Sequence, residues 1–238
     1  IDRERIGATG ISWGGYLNCI IAGFDPKLKV VVPVFGCGFY HEHGAWEQLL
    51  NKRMTKKNMQ KWVALYDPSS HMEQARCAMM FANGINDSHF PMNTMKKTAL
   101  QCKGPVAMCH IMHIVHQHRW DIREVEPYVD SIIDYGTPFL QVSRIKRENQ
   151  AVSATYSGPV DAERAALVYT CDSGPWRPRA WTSTPAKLDT ATKTISAELP
   201  KDRKVTAYYL SLADERKFSI STLHEENSEP YSRDAPAV

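Results

Sequence analysis

The chain has 238 residues, 43% of them hydrophobic and 23% charged, and its 29 Lys and Arg against 26 Asp and Glu leave a net charge of +3. That composition excludes a disordered or collagen-like chain and carries no electrostatic footprint of a nucleic-acid binder. No apolar run approaches the ~20 residues that cross a bilayer, so neither nucleic acid nor membrane is an expected partner. The six cysteines, at 19, 37, 77, 102, 109 and 171, form no CxxC pair and no dense framework; Cys19 and Cys109 lie in apolar runs and read as small core residues.

The chain opens on Ile1-Asp2-Arg3-Glu4-Arg5, without Met or signal peptide, and enters a strand-like segment almost at once. The expectation is that an earlier part of the protein precedes it and takes any localisation signal with it. A secreted or periplasmic address stays open for the full-length protein. Up to about residue 140 short apolar runs alternate with helical patterns, as in βαβ units. Strands are predicted at 5–9, 29–35, 77–82 and 105–111, and helices at 13–22, 91–101 and 121–135, with Gly136 as the last stop signal. The run 29–35 is nearly all apolar and β-branched, as in a strand covered on both faces. Residues 38–76 are irregular around one polar helix at 45–65. Its Lys52, Arg53, Lys56, Lys57 and Lys61 read as a solvated face rather than a phosphate site, because no aromatic or glycine-rich partner interleaves them.

Beyond about residue 140 Val, Thr, Tyr and Ser alternate between turn residues. Strands are predicted at 152–156, 165–170, 177–183, 194–198, 206–211 and 218–222, which suits an immunoglobulin-like or fibronectin-like sandwich.

The sharpest chemical signal is Gly10-Ile11-Ser12-Trp13-Gly14-Gly15. It fits G-x-S-x-G between a predicted strand and a predicted helix, the context a nucleophile elbow needs. Ser12 would sit on a strained turn, with Gly10, Gly14 and Gly15 removing Cβ atoms where strand and helix approach. The helix start, beginning at the Trp13 N–H, would face a developing oxyanion. A Ser nucleophile needs a base oriented by a carboxylate, in the order Ser, Asp or Glu, His. Asp87 follows the strand at 77–82 in Asn83-Gly84-Ile85-Asn86-Asp87-Ser88-His89-Phe90-Pro91; taken alone, a solvent-exposed turn Asp is an equal reading. Four histidines, His110, His113, His116 and His118, fall within nine residues. The spacing of three would align side chains on a helix, whereas this segment reads as strand then loop. No metal and no cofactor are therefore expected, and His110 reads as a strand-face residue satisfied by its neighbours. The base should lie just past the strand: His116 fits best, with His113 and His118 as register alternatives.

Residues 5–17, the run Asp25-Pro26-Lys27-Leu28 into 29–36, Asp67-Pro68-Ser69, the Gly-x-Asn-Asp loop and the His-x-His-then-Trp120 stretch together resemble α/β-hydrolases of the acetyl xylan esterase and dienelactone-hydrolase-like group. The resemblance runs to about Val142. It implies an eight-stranded sheet with the elbow after the fifth strand, so that this chain would start at that strand. It implies Ser12 as nucleophile, Asp87 as orienting acid, His116 as base and the Trp13 N–H as half of the oxyanion hole. The segment 115–120 lacks the glycine expected between its histidines, which keeps the register open. A missing second oxyanion donor would cost ~10²–10³ in rate, so the chain alone is expected to be poorly active. The expected fold class is α/β: the C-terminal half of an α/β-hydrolase at 1–140, with a lid-like insertion at 38–76, followed at 141–238 by an all-β immunoglobulin-like sandwich.

The expected substrate is a small-molecule or carbohydrate ester with a short acyl group, in a pocket whose candidates are Tyr40, Trp46, Trp62, His89 and Phe90. Two other readings stand beside it. One is a prolyl-oligopeptidase-like serine peptidase, which shares the elbow but would end near the last helix. The other is a non-catalytic carbohydrate-binding or scaffold protein, in which Trp176, Trp181 and Tyr208-Tyr209 would present a sugar-binding face.

Overall fold

The structure, a computed structural model, describes residues 2–42, 47–118 and 122–227. Its first half runs β1 (Gly7–Ile11), α1 (Trp13–Phe24), β2 (Val30–Val34), α2 (Glu47–Arg53), α3 (Lys56–Tyr66), β3 (Ala78–Gly84), α4 (Met92–Gln101), β4 (Val106–Ile111) and α5 (Val125–Ile133). Strands β1 to β4 pair in chain order and all in parallel. Every residue of β2 and β3 is buried, as parallel strands covered on both faces must be. Among the described residues β1 has no strand partner on its other edge, and α1 leaves Trp13, Leu17, Ile21 and Phe24 exposed along one stripe.

The single helix expected at 45–65 is two helices. Thr55 ends the first and caps the second, its hydroxyl accepting the Asn58 N–H at 3.2 Å; a residue whose side chain competes for backbone donors breaks a helix in this way. Lys52, Arg53, Lys56, Lys57 and Lys61 are all exposed.

The second half is all-β: β5 (Gln141–Val142), β6 (Lys146–Glu148), β7 (Ala151–Ser157), β8 (Ala162–Thr170), β9 (Thr182–Pro185), β10 (Lys187–Asp189), β11 (Thr194–Glu198), β12 (Ala207–Asp214), β13 (Ser219–Ser221) and β14 (Glu225–Glu226). Strands β10, β11, β7 and β5, with β6 against β7, make a five-stranded antiparallel sheet. Its Val152, Ala154 and Ile195 share one apolar core with Leu167, Leu210 and Leu212 of the facing strands.

Those facing strands do not form the free-standing immunoglobulin-like sandwich expected from the sequence. Strand β13 pairs antiparallel with β4, and the order β1-β2-β3-β4-β13-β12-β8-β9, with β14 beside β12, is one nine-stranded sheet. The join is narrow: one registered pair, Ser221 with Met108. The Ser221 hydroxyl reinforces it by donating to the Met108 carbonyl at 3.2 Å and accepting the His110 N–H at 3.3 Å. Nearby, Glu124 at the start of α5 accepts the Ser219 N–H at 3.0 Å.

A second apolar cluster lies across this seam. Ile85 and Met92 come from the first half, and Val168, Trp176, Trp181, Ala207 and Tyr209 from the second. The Trp176 and Trp181 rings stack 6.2 Å apart at 13°. Both indoles and the Tyr208 and Tyr209 rings are buried, so they are core and offer no sugar-binding face. The strand expected at 177–183 starts only at Thr182. Pro178 has no N–H for a ladder, and the carbonyls around it turn toward the first half, as described below.

Candidate active site

Ser12 stands between the end of β1 and the first turn of α1 at φ 59°, ψ −116°. A non-glycine residue held there stores about 1–3 kcal/mol of strain. Its neighbours fix it: the Ser12 N–H donates to the Val34 carbonyl and the Ser12 carbonyl accepts the Tyr16 N–H, both at 2.9 Å. A Cβ on Gly10 would come within 2.7 Å of the Gly14 carbonyl carbon, and one on Gly15 within 2.7 Å of the Val34 oxygen. Gly14 differs from expectation, since a Cβ there meets nothing within 4 Å; only Gly10 and Gly15 are required by the close approach. Trp13 is the first residue of α1, and its ring meets Tyr16 and Tyr40 edge-on at 5.0 and 5.6 Å.

Asp87 and His116 come to Ser12 from the loops after β3 and β4. The Ser12 hydroxyl lies 2.8 Å from His116 Nε2, and His116 Nδ1 lies 3.0 Å from Asp87 Oδ2. A carboxylate accepts only, so Nδ1 carries the proton and Nε2 is left to accept from Ser12. The other Asp87 oxygen accepts the His89 and Phe90 N–H groups at 2.7 and 3.1 Å. The two loops touch where β3 ends, as a Cβ on Gly84 would fall 2.0 Å from the Ile114 carbonyl oxygen. Asn83 adds a clamp, its amide donating to the Phe90 carbonyl at 2.7 Å.

The alternative bases stand differently. His113 is exposed, in a left-handed turn at φ 59°. His118 is exposed and edge-on to His116 at 5.6 Å. His110 is buried in β4 against Tyr209, and among the described residues neither ring nitrogen has a hydrogen-bond partner. That corrects the expectation of a satisfied strand-face residue: burial, aided by His224, lowers its pKa to about 3 and keeps it neutral.

Of the pocket candidates, three gather at His116. The His89 ring stacks on it at 4.3 Å and 25°, Phe90 lies 5.8 Å away, and Tyr40 stacks on Phe90 at 5.2 Å. Burial, then the neighbouring His116, lowers the His89 pKa. Trp62 packs on the core from α3 and is not among these rings. Trp46 lies outside the described residues. The loop bearing Tyr40 hangs on buried Asp67, whose carboxylate accepts the Phe39, Tyr40 and Ser69 N–H groups at 2.8, 3.0 and 2.9 Å. Burial alone would raise the Asp67 carboxyl, but the neighbouring His41 ring, 3.9 Å away, and the Ser69 and Phe39 hydrogen bonds outweigh it and hold it low. Sequence reading met Asp67 only as part of a motif. Its signal was the Asp-Pro-Ser turn, in which Asp67 also caps Pro68–Ser70.

Asp87, His89 and His116 offer ligand atoms within 4.8 Å of one another, the spacing a metal ion would need. Two of the three already share a proton, so an ion there would take its place.

A family model described as Prolyl oligopeptidase family matches residues 1–123. No curated protein matches the chain. Among solved structures, an acetyl xylan esterase from Paenibacillus sp. R4 is 18% identical over 56% of this chain and 46% of its own, with a TM-score of 0.48. A Pyrococcus horikoshii acylaminoacyl peptidase is 17% identical over 58% of this chain and 26% of its own, at a TM-score of 0.50; at that identity the likeness is one of fold. A puromycin-hydrolyzing peptidase of Mycobacterium tuberculosis is 19% identical over 56% of this chain and 23% of its own, at 0.47. The chain spans less than half the length of each of these structures.

Proposed function

The chain belongs to the prolyl oligopeptidase family, and from that premise we propose that it is a serine hydrolase that cleaves carboxylic esters through Ser12, His116 and Asp87. The observation that carries the reading is the unbroken relay from the Ser12 hydroxyl to His116 Nε2 at 2.8 Å and from His116 Nδ1 to Asp87 at 3.0 Å. In this reading His116 takes the Ser12 proton as the oxygen attacks the acyl carbonyl. The tetrahedral oxyanion forms beside the start of α1, where the Trp13 N–H and the positive end of the helix stabilise it. His116 then protonates the leaving alcohol, and Asp87 stabilises the imidazolium while it exists. Water, activated by the same histidine, returns Ser12.

A short acyl group, as on an acetylated carbohydrate, is supported by the rings at the elbow. Tyr16, Tyr40 and Phe90 are buried and pack on one another, which makes them a close wall rather than a platform. The match to the prolyl oligopeptidase family favours a second reading, a peptidase. A panel of p-nitrophenyl acetate, p-nitrophenyl butyrate and peptide p-nitroanilides separates them. The expected order puts acetate first by kcat/KM; higher kcat/KM on the peptide amides would overturn the ester assignment and leave the serine hydrolase.

A further inference from the structure

The loop carrying Asp87 meets the second half of the molecule twice: Ile85 is buried in the seam cluster, and Asn86 reaches across with hydrogen bonds. The Asn86 amide nitrogen lies 3.2, 3.1 and 2.8 Å from the carbonyl oxygens of Trp176, Arg177 and Arg179. Three acceptors around one nitrogen demand a donor, so the amide nitrogen faces them; its two N–H groups are shared among three oxygens. The receiving loop is itself fixed. The Arg179 guanidinium lies 3.8 Å over the Trp176 ring and donates to the Gly174 carbonyl at 2.7 Å, and Trp176 stacks on Trp181 in the seam. The bonds that hold Asp87 on the inner side come from its own loop, the His89 and Phe90 N–H groups. They shape the loop but do not place it relative to the second half.

We propose that Asn86 is a positioning residue for the triad: by clasping the 176–179 loop it makes the placement of Asp87, and through it the orientation of His116, depend on the C-terminal β region. The proposal rests on the triad reading above. It gives that region a part in catalysis without contributing a reacting group. Removing the clasp leaves the Asp87 loop held by the Asn83 clamp and the buried Ile85 but loosens its outer side against His116. A displacement near 1 Å at a catalytic group costs on the order of 10²-fold, and it falls mainly on kcat because Asn86 itself points away from the pocket, to the 176–179 loop.

The test is steady-state kinetics of Asn86→Ala and Asn86→Gln in the full chain, beside Ser12→Ala, with thermal unfolding of each. Asn86→Ala is expected to lose about 10- to 100-fold in kcat with little change in KM. The acid limb of its kcat/KM profile should move to lower pH, since a looser carboxylate favours the imidazolium less. Asn86→Gln keeps the donor one methylene further out and should recover part of the rate. Wild-type kcat and pH profile in both variants, with Ser12→Ala inactive, would overturn the positioning role alone. So would a loss that only follows the folded fraction, with the pH profile unmoved. Activity surviving in Ser12→Ala would instead sink the triad reading, and this proposal with it.

Discussion

The two halves of the molecule bury their strands by different means. In the parallel half β2 and β3 lie among helices and loops, and every residue is buried. In the antiparallel half β7 alternates, exposing every second residue or nearly so, as a sheet with one face in water does. Strand β12 breaks that habit: seven of its eight residues are buried although β8, β13 and β14 all pair with it antiparallel. One of its faces, Tyr208, Leu210 and Leu212, packs in the main core, while Ala207 and Tyr209 sit in the seam cluster with Ile85 and Met92. An antiparallel strand without a wet face marks a sheet enclosed on both sides. The comparison teaches a division of labour between halves that share one interior. The parallel half ends its strands in the loops that carry Ser12, Asp87 and His116, and the antiparallel half supplies the wall against which one of those loops is fixed.

The sharpest way to break this division is in the chemistry. Ser12→Ala and Asp87→Asn should each lower kcat by about 10⁴-fold or more with the fold intact, measured on p-nitrophenyl acetate beside a thermal melt. Full activity in either would take the reaction away from the parallel half. Next in size is the seam. Trp181→Ala removes a buried indole stacked on Trp176 and should cost about 3–5 kcal/mol. Calorimetry should show the chain unfolding in one transition, in the wild type and in the variant; two separated transitions would mean that the halves fold as independent bodies.

A smaller, graded effect comes from acid. His110 and His224 are buried at the seam, and burial lowers both pKa values, that of His110 to about 3. A depressed histidine leaves the unfolded chain to bind the proton first. Stability from His110 is therefore full above the ordinary histidine range and falls as pH drops from about 6.5 toward 3, by about 1.4 kcal/mol per pH unit, and the lowered His224 adds to the fall in the same direction. His110→Phe should flatten that fall in urea titrations across the range, and an unchanged slope would contradict the assignment. The smallest effect is expected on the helical insertion. Lys56→Gln with Lys57→Gln should change rate and stability by no more than about 0.5 kcal/mol, as for any exposed face; a large rise in KM there would make it part of the substrate site.

Local patterns were legible in the sequence and non-local ones were not. The valine run of β2, the helix after Ser12 and the order of the three polar residues on successive loops all follow from periodicity and glycine placement within a few residues. The break at Thr55 was missed because its capping bond competes with an otherwise continuous helical pattern. The loop at 177–181 looked like strand because its reason for being a loop, the Asn86 amide, lies 90 to 93 residues away. Strand β13 is three residues long, too short to carry a period, so its bond to β4 could not be anticipated.

The most direct measurement is the site of covalent labelling. The chain is treated with a fluorophosphonate probe, digested, and the adduct located by mass spectrometry, with Ser12→Ala and His116→Ala treated in parallel. The expected result is one adduct, on Ser12, absent from Ser12→Ala and strongly slowed in His116→Ala. An adduct on another serine, or labelling of Ser12→Ala at the wild-type rate, would contradict the assignment of this elbow as the reacting centre.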